Sequence, residues 1–159
     1  MIKVMNALKS YRLSNYFYKK NLKLLSKILD GVNYLLHNSY IPGSCTIGKD
    51  TKIAYGGIGV VIHARAIIGE NCLIGQGITI GGRNGLKEVP VIENNVYLGA
   101  GCRILGNVKI ASNNIIAPNS IVTKNIEMSY TIWGGVPSKV ISYITNENYY
   151  KYKDYGIKM

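Results

Sequence analysis

The sequence predicts an all-β solenoid, a parallel β-helix preceded by an α-helical segment, and three observations carry that expectation. An aliphatic residue returns at nearly every sixth position from Ile62 to Val122. Glycine is abundant, 18 of 159 residues, which calls for many tight turns. The N-terminal stretch has a different, helical periodicity.

The elements follow in chain order. Up to about residue 36, Val4, Leu8, Leu22, Leu25, Ile28, Leu29, Val32 and Leu36 stand at helical spacing with basic residues between them. One or two amphipathic helices are expected, with Asp30-Gly31 as a candidate turn. Such helices either pack on the end or side of the main body or present a membrane-surface or partner-docking face.

From Ile62 the period changes. Ile62, Ile68, Ile74, Ile80, Ile92, Leu98, Ile104, Ile110, Ile116 and Val122 fall on one comb, with Leu86 on the remaining tooth. Four positions after the comb residue, Ala66, Cys72, Ile78, Val96, Cys102, Val108 and Ser120 form a second inward set. A period of six fits neither a helix nor an alternating hairpin; a short strand and a turn stacked on an identical neighbour satisfies it. Three such units close a triangular coil, and strand edges pair from coil to coil.

Ile47-Gly48 and Ile53-Ala54 read as an earlier, imperfect coil in a register shifted by one from the main comb. The end coils need covers, which the N-terminal helices and the tail after Ile141 are placed to supply. The expected division is a helical segment over 1–38, the solenoid over 39–142 and a basic, tyrosine-rich tail over 143–159.

Composition narrows the function. A content of 47% hydrophobic residues excludes a disordered chain. Cys45, Cys72 and Cys102 have no CxxC or Cys/His ligand spacing, so neither a disulfide framework nor a metal site is expected, and a reducing cytoplasm fits. Lysines and Arg12 interrupt the N-terminal stretch, so neither a signal peptide nor a membrane span is expected. The net charge of +11 favours anionic partners, either lipid or a phosphate-bearing cofactor or substrate. Nucleic acid is disfavoured because no recognition motif accompanies the lysines.

The comb is interrupted at Tyr55-Gly56-Gly57-Ile58-Gly59 and from Gly82 to Pro90, and interruptions of a solenoid are where function projects. Around them, Val60-Val61-Ile62-His63, Ile78-Thr79-Ile80-Gly81-Gly82, the run from Val91 to Gly101, Ile104-Leu105-Gly106 and the run from Gly134 to Ile141 carry a family signature. Over about residues 40–142 the chain resembles the hexapeptide-repeat acyltransferases, in their serine acetyltransferase-like branch. The last run is similar to that family's Gly-x-Pro-Ala-Lys ending, with Ser138 in place of alanine. The resemblance implies a left-handed coil, a homotrimer, and acetyl-CoA bound between neighbouring prisms. The hand rests on resemblance alone, because parallel crossovers are in general right-handed.

The same resemblance implies acetyl transfer to a hydroxyl or amine with a histidine as general base. An imidazole of pKa ~6.5 suits removal of an alcohol proton near neutrality. Of two histidines, His37 precedes the repeat and reads as a surface or capping residue, whereas His63 lies inside it and is the expected base. Its alternative is a corner residue bonded to a neighbouring coil. Gly81 and Gly82 are placed to offer a backbone N–H to the oxyanion. The family pattern puts coenzyme A along Gly99, Ala100 and Ala117, with Lys124 and Lys139 on its phosphates; the alternative for each lysine is a solvated surface cation. Trp133 either packs on the last coil or stacks near the adenine.

Aligned without gaps from Ile47, the branch's catalytic histidine falls on Tyr55, its supporting aspartate on Tyr40 and its second histidine near Val89. This departure points toward related short enzymes that O-acetylate a sugar hydroxyl in capsular or surface polysaccharide, with Tyr55, Arg83, Asn84 and Glu88 lining the acceptor pocket. Serine O-acetyltransferase in cysteine synthesis and a non-catalytic β-helix scaffold are the alternatives. A peripheral membrane contact through residues 1–36 is compatible with any of them.

Overall fold

The computed structural model describes residues 6–159, so Val4 lies outside the described residues. Two helices open the chain, α1 (Ala7–Lys19) and α2 (Lys23–His37). Asn6 caps α1 by accepting the Leu8 N–H at 2.9 Å, and α2 stops where Asn38 enters the left-handed region. The turn lies between Lys19 and Lys23 rather than at Asp30-Gly31, which runs on as helix. A mid-helix glycine costs only about 1 kcal/mol. Asp30 accepts hydrogen bonds from Ser14 Oγ at 2.6 Å and the Gly43 N–H at 3.0 Å, contacts that need it inside the packed helix.

The helix pair seals the start of the solenoid. Tyr11 is buried, donates its hydroxyl proton to the Cys45 carbonyl at 2.9 Å and accepts the Ile47 N–H at 3.0 Å. A side chain thus satisfies backbone groups at the edge of the first coil. Burial holds the phenol well above its ordinary pKa, so it stays a donor. Arg12 adds bonds to the Ile47 and Gly48 carbonyls.

Four coils of three short strands follow. The first is β1 (Thr46–Ile47), β2 (Lys52–Ile53) and β3 (Val61–Ile62); the second is β4 (Ile67–Ile68), β5 (Leu73–Ile74) and β6 (Thr79–Gly81). The third is β7 (Val91–Ile92), β8 (Tyr97–Leu98) and β9 (Arg103–Leu105), and the fourth is β10 (Lys109–Ile110), β11 (Ile115–Ile116) and β12 (Ile121–Val122). Parallel pairing from coil to coil makes three faces: β1-β4-β7-β10, β2-β5-β8-β11 and β3-β6-β9-β12. Tyr40 adds one bridge to the last face, beside Val61.

Every comb residue except Leu86 is at most 1% exposed, and the second inward set from Ala66 to Ser120 at most 2%. Leu86 is 47% exposed and belongs to the loop, not to the comb. The register explains why. Val91 pairs with Lys109, 18 positions on, which is one coil of three hexapeptides. Across the loop Ile67 pairs with Val91, 24 positions on, so the insertion is one whole hexapeptide and the comb resumes in phase. Across the first interruption Ile47 pairs with Ile68, 21 positions on, so the first coil is out of register by three residues, not one.

Several corners between strands are turned by polar residues in the left-handed region, among them Asp50, Asn71, Asn95, Asn113 and Asn119 at φ between 54° and 60°. Beyond the coils, β13 (Thr131–Gly134) pairs with β11, and β14 (Lys139–Tyr143) closes that face antiparallel to β13. The tail then runs back along the β5-β8-β11 face instead of covering an end. Ile144 and Ile157 bury against Ile115 and Ile132, and Tyr155 stacks on Tyr97 at 4.4 Å. Corner asparagines hold it: Asn71 donates to the Gly156 carbonyl at 2.8 Å and Asn113 accepts the Lys158 N–H at 3.2 Å.

Candidate active site

The strand order sorts the expected site residues onto two prism edges. One edge follows the β3-β6-β9-β12 face and carries His63, Gly81, Gly82, the loop to Pro90 and Lys124. The other precedes that face and carries Tyr55, Gly99, Ala100 and Ala117.

On the first edge His63 is half-buried at the corner after β3. A Cβ built on Gly82 would lie 3.8 Å from His63 Nε2 and 3.8 Å from Val89 Cγ1, so the ring faces the base of the loop. Its Nδ1 accepts the Arg65 N–H at 3.1 Å, which places the proton of the neutral ring on Nε2. The ring thus presents an N–H, suited to holding an oxygen; to take a proton on Nε2 it must give up the Arg65 bond. Arg83, Asn84 and Glu88 are exposed along the loop. The Arg65 guanidinium donates to the Lys87 carbonyl and ties the loop to the His63 corner. Sequence reasoning passes over Arg65 because nothing in the hexapeptide pattern marks a corner arginine.

On the second edge the small residues divide into two roles. Gly99 is buried, and a Cβ there would meet the backbone of Ile116 and Pro118 at 2.5–2.7 Å. It serves close approach of coils, not a ligand. Ala100 and Ala117 are half-exposed and form the open part of the shelf.

Lys124 and Lys139 come together at the end of the coil, around a cavity of about 230 Å³ that also takes in Asn125, Trp133 and Ser138. Trp133 packs on the last coil and also reaches this cavity. Its Nε1 donates to Thr131 Oγ1 at 2.8 Å and part of the indole packs on the core, while its remaining surface lines the cavity. Two cations beside an aromatic face suit a phosphorylated ligand carrying a base.

Tyr55 is not joined to His63. It stands at φ 48° and 72% exposed, in a cavity of about 350 Å³ with His37, Leu35, Leu36, Gly56 and Ile58. His37 is therefore no surface residue: it is 7% exposed, the last turn of α2 carrying it against the first interruption. Tyr40, the other tyrosine at a family position, lines a cavity with Lys27, Asp30 and Tyr34.

The three cysteines are separate and buried, and burial pushes the thiols of Cys45 and Cys102 up to about 12. They are not nucleophiles at neutral pH. Among the described residues no three His, Cys, Asp or Glu side chains gather as a metal group.

Known proteins resemble the chain over most of its length. The family model described as bacterial transferase hexapeptide (six repeats) matches residues 90–124. A serine acetyltransferase of Synechococcus elongatus is 35% identical over 137 residues, 85% of this chain and 55% of that protein. A solved serine acetyltransferase of Brucella abortus in complex with coenzyme A superposes with a TM-score of 0.82 at 27% identity, over 87% of this chain and 56% of that one. A serine acetyltransferase in complex with cysteine superposes with a TM-score of 0.81 at 25% identity, over 96% and 59%. The chain spans little more than half the length of these relatives.

The fold is accordingly a left-handed parallel β-helix with N-terminal helices. The expectation of a sugar hydroxyl as acceptor is overturned, because the relatives named above are serine acetyltransferases. That expectation rests on three missing side chains. A missing group reports on how a proton is moved, not on which acceptor fills the pocket.

Proposed function

We propose that this chain, a member of the hexapeptide-repeat acyltransferases, transfers an acetyl group from acetyl-CoA to the hydroxyl of L-serine. The observation that carries the reading is likeness to serine acetyltransferases along 85% of the chain. The co-substrate supplies an acetyl thioester, whose carbonyl carbon the serine oxygen attacks as the thiol leaves.

Lys124, at the end of the His63 edge, and Lys139 hold phosphate, Trp133 meets the adenine, and on the other edge Ala100 and Ala117 leave room for the pantetheine arm. His63 meets the acceptor oxygen at the loop, with Arg83, Asn84 and Glu88 around it. Because the shelf and His63 lie on different edges of one prism, a complete site takes one edge from each of two copies, and a homotrimer supplies three such grooves. As the general base, His63 exchanges its Arg65 bond on acceptor binding and takes the serine proton on Nε2.

Thiol release from acetyl-CoA with L-serine, measured against pH, tests the reading. His63→Ala is expected to lower kcat/KM by about 10²-fold or more. His63→Gln separates the two uses of the ring: the amide still donates a hydrogen bond but cannot serve as a base, so retained activity would make His63 a donor only. A loss in His37→Ala with His63→Ala unaffected would move the base to the cavity beside Tyr55. No release with L-serine would overturn the acceptor.

A further inference from the structure

Helix α2 is built inside out for an isolated chain. Its inward stripe is polar: Ser26, Asp30, Asn33 and His37 recur at helical spacing and face α1 and the first coil. Ser26 Oγ meets Ser14 Oγ at 2.8 Å, Asp30 bonds Ser14 and Gly43, and Asn33 Nδ2 donates to the Ala7 carbonyl at 3.2 Å. These contacts fix the rotation of the helix and leave no freedom to turn its other side inward.

The other side is apolar and open. Leu24, Ile28, Val32 and Leu35, with Leu25 and Leu36 beside them, share one face about 18 Å long. Leu24 is 73% exposed and Leu35 82%. A contiguous stripe of this kind on a soluble surface marks a contact site. The sequence pattern leaves such a helix two uses, packing on the main body or presenting a docking face, and the structure turns this stripe outward.

The charge around the face selects its occupant. Lys19, Lys20, Lys23 and Lys27 flank it at the hairpin tip and along one side. Asp30 is the one acidic residue in 6–37, and it is engaged inward. A second copy laid face to face would offer these lysines no acidic partner, since Asp30 is engaged inward on both helices. An anionic bilayer complements both features, taking the leucines at the acyl boundary and the lysines at the headgroups. No helix among the described residues is long and apolar enough to cross a membrane, so α2 would lie in the interface.

We infer that the exposed face of α2 docks the protein on an anionic lipid surface. The inference is independent of the acyl-transfer reading, and its test uses no activity. The full chain is sedimented with vesicles of phosphatidylcholine alone and of phosphatidylcholine containing about a third phosphatidylglycerol. Binding is expected only to the second, weakened by high salt. Leu24→Asp/Leu35→Asp and Lys20→Glu/Lys23→Glu/Lys27→Glu should each lower partitioning by about tenfold or more. Both alter exposed side chains, and unchanged circular dichroism confirms the fold. Three outcomes overturn the inference: no binding to either vesicle, binding undiminished in both variants, or a wild-type assembly that the Leu24→Asp/Leu35→Asp change splits in sedimentation velocity, which would assign the face to a second copy.

Discussion

At position 99 one hydrogen atom decides how closely two coils approach. A Cβ there would stand 2.5 Å from the Pro118 nitrogen and 2.7 Å from the Ile116 carbonyl oxygen, backbone atoms that cannot swing aside. Gly99→Ala is expected to destabilise by ~1–3 kcal/mol, read as a lower urea midpoint. Gly31→Ala is the control, since nothing lies within 4 Å of its site in α2 and the change should stabilise by up to ~1 kcal/mol. Equal midpoints for the two variants would mean that the coil spacing relaxes around an added methyl. Buried thiols belong to the same scale: Cys72 and Cys102 occupy the second inward position of their hexapeptides as small apolar fillers, and burial raises both.

The loop between β6 and β7 shows how an element can be added to a solenoid without disturbing it. Its pairing offset of 24 positions against 18 makes it one extra hexapeptide in length, although its side chains leave the core. Deleting Arg83 to Glu88 removes six residues and should leave the comb in phase, with circular dichroism and assembly mass unchanged. The deletion should abolish thiol release if the loop forms the acceptor pocket. A deletion of three residues should fold as well, since the first interruption already adds three residues to a coil that keeps its pairing. An unfolded six-residue deletion would overturn this account of the register.

For the whole molecule, the consequential fact is that His63 and the Ala100-Ala117 shelf lie on different edges of one prism. Neither His63→Ala nor Ala117→Trp should be active alone, the first lacking the proposed base and the second filling the shelf. Refolded together they should regain a measurable part of wild-type activity, since a groove between unlike copies can combine an intact His63 from one with an intact shelf from the other. Mixtures no more active than their components would place the whole site within one chain. The same scale contains the tail, which lies along a face where sequence reasoning assigns it to an end. Its apolar residues are too scattered to reveal a partner surface before the corner asparagines Asn71 and Asn113 are seen holding it.

Much of the fold is legible in the sequence by itself, because a stacked coil depends on its nearest neighbours and a six-residue period is therefore written locally, from Ile62 to Val122. The gathering of Lys124 with Lys139 was readable only through the family-like ending, as one lies in the bend after β12 and the other opens β14. The rotation of α2 was not readable at all. Its leucines and its polar residues both repeat at helical spacing, and which set turns inward depends on bonds to Ser14, Gly43 and Ala7, on elements well separated along the chain. Tertiary structure alone decided that, and with it the placing of His37 beside Tyr55, the tie of Arg65 to the loop at Lys87, and the open apolar face. Periodicity records how often a residue type recurs; only the partners across space determine which way it points.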